Sequence, residues 1–69
     1  MSEKEQNQYR GKNFINTEEL AKRWIKSPRT IENWRARKTG PNFYRIGGEV
    51  LYDLNEIIEL ENDSYVANE

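Results

Sequence analysis

The chain has 69 residues, a net charge of −1, no cysteine and no histidine. That length holds one domain with a modest core; the two missing residue types remove disulfides, thiolate zinc sites, and the commonest general base and metal ligand. Apolar runs of two or three residues exclude a membrane-spanning helix, and the polar start Met-Ser-Glu-Lys-Glu-Gln-Asn-Gln lacks the apolar stretch of a signal peptide, so a soluble cytoplasmic protein with no cofactor, metal or enzymatic activity is expected.

Residues 1–12 are polar apart from Tyr9 and predict a disordered arm. Order is expected from Phe14-Ile15. Asn16-Thr17-Glu18-Glu19 reads as a helix start: Asn16 can accept a backbone N–H while Glu19 reaches back, and both glutamates suit the positive end of the helix dipole. A first helix over residues 17–24 follows, with Leu20, Ala21 and Trp24 on one apolar face. Ser27-Pro28 starts a second helix over residues 28–37, because serine caps and proline fits the first helical position. Ile31 and Trp34 face inward on it. Only Ile25, Lys26 and Ser27 separate the two helices, and so short a break makes them cross steeply, as in a helix-turn-helix.

Thr39-Gly40-Pro41-Asn42 predicts a loop. The β-prone runs Phe43-Tyr44-Arg45-Ile46 and Glu49-Val50-Leu51-Tyr52 flank Gly47-Gly48, the pattern of a two-stranded hairpin. Its inward and outward alternation leaves the register open. Asp53-Leu54-Asn55-Glu56 is a third cap with capping-box spacing, ahead of a helix over residues 54–61. Residues 63–69 are expected to be a frayed acidic tail. The expected fold is thus α+β, a small winged helix-turn-helix over residues 13–62 with three helices and a two-stranded wing. Its expected core is Leu20, Trp24, Ile31, Trp34, Ile57 and Ile58.

The near-zero net charge hides a strong segregation. Residues 22–45 carry eight lysines and arginines against Glu32 alone, whereas residues 46–69 carry seven acids and no base. A basic centre fits a phosphate-binding surface as well as a solvated helix face. In helix-turn-helix proteins the N-terminal residues of the second helix meet base edges in the major groove. Here those positions are Arg29, Thr30 and Asn33. Arginine can bond guanine, and asparagine adenine, through two hydrogen bonds each. Thr30 fits a base contact or a part in the cap; Asn33 fits a base contact or plain solvent. Arg35, Arg37 and Lys38, towards the end of the helix, suit phosphates. Arg45 with the Gly47-Gly48 backbone stands where a second groove or strand could be met. The helical spacing of Trp24 and Trp34 points to core rather than to a base-stacking platform. Glu49, Asp53, Glu56 and Glu59 are explained by capping and solvated faces, since no other ligand type accompanies them.

Asn16-Thr17-Glu18-Glu19-Leu20-Ala21 and Ser27-Pro28-Arg29-Thr30-Ile31-Glu32-Asn33-Trp34-Arg35 resemble the helix-turn-helix of the MerR-like excisionase group, which includes AlpA-type regulators. Gly40-Pro41, Phe43, Ile46-Gly47-Gly48 and Val50-Leu51-Tyr52 resemble its wing, and Leu54 to Ile58 its closing helix. Glu49-Val50-Leu51-Tyr52-Asp53 is also similar to the DNA-binding domain of lambda-type small terminase subunits. The resemblance covers about residues 14–61. It departs in the turn, where Ile25-Lys26 replaces glycine and an aliphatic residue, and after Gly47-Gly48, where Glu49 replaces a base. It implies a recognition helix bearing Arg29, Thr30 and Asn33, and a wing bearing Arg45, Gly47 and Gly48.

Sequence-specific binding of double-stranded DNA is therefore expected, as an excisionase-like architectural factor or a small transcriptional regulator of a phage or mobile element. Further copies on adjacent half-sites, or an integrase, would be its partners. Two other readings are a protein-interaction module, binding an integrase or repressor through the acidic C-terminal half, and recognition of packaging DNA as in small terminases.

Overall fold

The computed structural model describes residues 13–66. The arm expected over residues 1–12 lies outside the described residues, as do residues 67–69 of the expected tail. The order of elements is β1 (Phe14–Asn16), α1 (Thr17–Arg23), α2 (Pro28–Ala36), β2 (Tyr44–Ile46), β3 (Glu49–Asp53) and α3 (Leu54–Asp63). The domain is α+β, with three helices and a three-stranded antiparallel sheet in the order β1-β3-β2.

The expected two-stranded hairpin is therefore corrected to three strands. Phe14, Ile15 and Asn16 pair with Asp53, Tyr52 and Leu51, so β3 becomes the central strand. A three-residue strand shows no alternation of its own, and its partner lies far along the chain, so nothing local marks it as a strand. The hairpin itself is present. Tyr44, Arg45 and Ile46 oppose Leu51, Val50 and Glu49. Gly47 and Gly48 both have positive φ, +60° and +81°, which a two-residue turn of primed type requires and which glycine adopts without a Cβ clash.

All three predicted N-cap residues cap their helices. The Asn16 side chain accepts from the Glu19 N–H and Glu19 accepts from the Asn16 N–H, each at 2.8 Å. Ser27 caps α2, with Pro28 at the first position. Asp53 caps α3 by accepting from the Asn55 N–H at 3.0 Å. The capping box expected there does not use Glu56, whose carboxylate instead accepts from the Tyr44 hydroxyl at 2.7 Å. α3 also runs to Asp63, beyond the expected end, and Ser64 closes it by donating to the Leu60 carbonyl.

The ends of α1 and α2 share an unusual device. Lys26 N–H donates to Ala21 O and Ile25 N–H to Lys22 O; Thr39 N–H donates to Trp34 O and Lys38 N–H to Arg35 O. Each pair is a Schellman closure, which needs a left-handed residue and normally takes glycine. Here Ile25 (φ +58°) and Lys38 (φ +61°) occupy those places. A β-branched side chain in that conformation costs about 1–2 kcal/mol.

The core is Leu20, Ala21, Ile31, Tyr52 and Ile57, with Ile15, Trp24, Trp34, Val50 and Leu54 packed against it half-buried. Three expectations change. Tyr52, unassigned while the hairpin register was open, is 1 % exposed. Trp24 and Trp34 border the core rather than fill it, with ring centroids 6.1 Å apart. Gly40 packs directly on Trp34, so close that a Cβ at Gly40 would stand 3.0 Å from the Trp34 Cβ. Ile58 is 38 % exposed, because α3 is covered on one side only and Ile57 takes that side.

Candidate nucleic-acid interface

α2 packs on α1 through Ile31 and exposes the opposite side. Arg29, Glu32, Asn33 and Ala36 are all exposed there. Their spacing of three, four and seven residues places them in one stripe. Among the described residues, Arg29 and Asn33 have no hydrogen bond or ion pair with any side chain, so their donors and acceptors are open to solvent.

Thr30 is different. It is half-buried, and its hydroxyl lies 3.1 Å from the Ser27 hydroxyl while its N–H donates to the same oxygen. Of the two roles open to it, the structure supports the cap.

Arg35 stands apart from Arg37 and Lys38, with which the sequence grouped it. It is half-buried, and its guanidinium donates to the Tyr52 hydroxyl at 3.0 Å and to the Thr17 hydroxyl at 3.4 Å. Its Cζ also lies 5.7 Å from the centre of the Phe43 ring. These contacts turn it inward, towards α1, β3 and the loop that precedes β2. Arg37 ends α2 as its C-cap, Lys38 follows in the left-handed turn, and both are exposed.

The hairpin register sets the sheet face on which Arg45 lies. Opposed residues of a sheet share a face, and faces alternate along a strand. Arg45 opposes Val50, which lies on the face of Tyr52 and Ile15, towards the helices. Arg45 itself is exposed at the sheet edge. Gly47 and Gly48 form the exposed tip, with open space around both α-carbons. Glu49 stands beside them, and with Glu18 and Glu32 it lines a shallow cleft between the tip and α2. Phosphate would be repelled from that side.

A second arginine of the basic segment is also engaged. Arg23 Nε and Nη2 donate to the two Glu61 oxygens at 2.6 and 2.9 Å, and Trp24 Nε1 donates to Glu61 at 2.6 Å. The Arg23 guanidinium, then the indole N–H, hold the Glu61 carboxyl down to about pKa 2; Glu61 in turn raises Arg23. The sequence reading missed this cluster, because Arg23 and Glu61 are 38 residues apart and belong to separate helices. Among the described residues, no cluster of acids could hold a metal ion, and no helix is long and apolar enough to cross a membrane.

The basic side chains thus divide into two sets. Arg23 and Arg35 are fastened to other elements of the fold. Lys22, Lys26, Arg29, Arg37, Lys38 and Arg45 are exposed, with no side-chain partner among the described residues. The chain matches none of the family models, curated proteins or solved structures with which it was compared.

Proposed function

We propose that the chain is a winged helix-turn-helix domain that binds double-stranded DNA in a sequence-specific manner, with α2 as the recognition helix and the β2–β3 hairpin as the wing. It would act as an excisionase-like architectural factor or a small transcriptional regulator. The observation that carries this reading is the unpartnered pair Arg29 and Asn33 on the exposed stripe of α2. Two side chains suited to guanine and adenine edges stand one helical turn apart on the exposed stripe, with nothing in the described fold to occupy them. The free cations Arg37 and Lys38 at the far end of α2, and Arg45 on the hairpin, supply the flanking charge that phosphates require. One such module covers a short half-site, so useful affinity calls for adjacent copies or a second protein.

A titration of labelled duplex in increasing salt tests the proposal. Affinity should fall linearly on a log–log plot, by about 0.9 per phosphate contact. Absence of binding, or binding indifferent to salt, would sink it. A second reading draws on α3: Glu56, Glu59 and Asp63 line one shallow cleft with the Gly40–Asn42 loop, an acidic surface fit for a basic protein. That reading requires no DNA binding, and a partner lost on Glu59→Lys.

A further inference from the structure

We infer that Glu32 is a specificity-determining residue, accepting a hydrogen bond from the N4 amino group of a cytosine beside the base pair that Arg29 reads. This rests on the DNA-binding reading of α2. Glu32 is the only acid among residues 22–45, and it stands on the exposed stripe with Arg29 and Asn33. Among the described residues Glu32 has no hydrogen-bond or ion-pair partner for its side chain. Ser27 and Thr30 cap the helix without it. No ion pair joins it to Arg29, and the order Arg-then-Glu is the weaker one on a helix. Arg35, three residues on, is held by Tyr52.

A carboxylate with no partner beside Arg29 weakens any phosphate contact nearby. It becomes favourable only against a hydrogen-bond donor on a base edge. In the major groove cytosine offers its N4 amino group alone, whereas the adenine amino group sits beside the N7 acceptor, which repels a carboxylate. Placement agrees with this. Glu32 shares its cleft with Glu18 and Glu49, so phosphate is kept from that flank, and the sugar–phosphate strand is left to Arg37 and Lys38. Arg29 and Glu32 are three residues apart, about 4.5 Å along the helix axis, close to one base-pair step of about 3.4 Å. A guanine and a cytosine in adjacent base pairs are the expected target.

The test is selection from randomised duplexes by the full chain, with wild type, Glu32→Gln and Glu32→Ala in parallel. Wild type should enrich a cytosine at one position next to the guanine lost on Arg29→Ala. Glu32→Gln should lose that cytosine preference by about tenfold to a hundredfold and favour adenine there, since a side-chain amide matches the adenine N6/N7 edge. Glu32→Ala should lose the preference and bind random duplex more tightly. Both variants should give the wild-type circular dichroism spectrum; a variant that unfolds assigns Glu32 to the fold and overturns the inference. Base preferences identical to wild type at every position also overturn it, while leaving DNA binding intact. Failure of the wild type to bind duplex at all overturns the reading of α2, and Glu32 with it.

Discussion

The Arg35 guanidinium donates to the Tyr52 hydroxyl at 3.0 Å, and this bond ties α2 to the central strand. Tyr52 is 1 % exposed, so its hydroxyl depends on an internal partner. The same guanidinium reaches Thr17 and lies near Phe43, so one side chain sets α2 against both the start of α1 and the approach to the hairpin. A domain in which α2 meets DNA would have its reading angle held by this contact.

Tyr52→Phe should cost about 1.5–3 kcal/mol, because it removes an acceptor from a half-buried charge. At about 4–8 °C per kcal/mol for a domain of this size, thermal circular dichroism will show the loss plainly. Arg35→Ala should also melt early, yet leave the salt slope of DNA binding unchanged. A variant that melts like wild type with a slope reduced by about one would instead make Arg35 a phosphate contact.

Lys38→Ala should weaken binding to specific and random duplexes alike and reduce the salt slope by about one. Alanine is the substitution of choice, since glycine would also relieve the backbone at φ +61°. The same holds for Arg37→Ala. Loss confined to the preferred site would mean that these residues touch bases.

Arg29→Ala should cost about 1–3 kcal/mol on the preferred site and relax the preference at one base pair, with affinity for random duplex nearly intact. Arg29→Lys should rescue little, because an ammonium lacks the planar fork. Selected sequences that do not change on mutation would remove Arg29 from base recognition.

Ile25→Gly should stabilise the domain by about 0.5–1 kcal/mol. The isoleucine is 90 % exposed, so no burial is lost, and its left-handed backbone becomes unstrained in glycine. Chemical denaturation measures the gain. A lower midpoint would show that the Ile25 side chain makes a stabilising contact of its own.

Glu61 makes acid stability depend on Arg23 and Trp24. Its pKa in the fold is about 2 against an ordinary 4.5, a depression, so its contribution is complete above the ordinary value and disappears as pH falls through the folded one. Wild type should therefore melt above Glu61→Gln at pH 7, and the gap should close between about pH 4.5 and pH 2. Trp24 fluorescence gives a local signal, because its indole N–H donates to the same carboxylate. A gap that persists unchanged at pH 2 would place the stabilisation elsewhere.

Local chemistry was legible in the sequence alone. The caps at Asn16, Ser27 and Asp53, the proline at the first turn of α2 and the Gly47-Gly48 turn act over two to four residues, so the sequence order alone determines them. The inward face of α2 follows from its period. What only the tertiary structure decided involves residues far apart in the chain. The pairing of Phe14–Asn16 with β3 made a third strand and buried Tyr52. Arg35 could read as one more surface cation until Tyr52, Thr17 and Phe43 closed round it, and Arg23 until α3 brought Glu61 within reach. Whether a charged side chain points to solvent or holds the fold together depends on what packs beside it, and neighbours contributed by distant segments leave no periodic trace in the sequence.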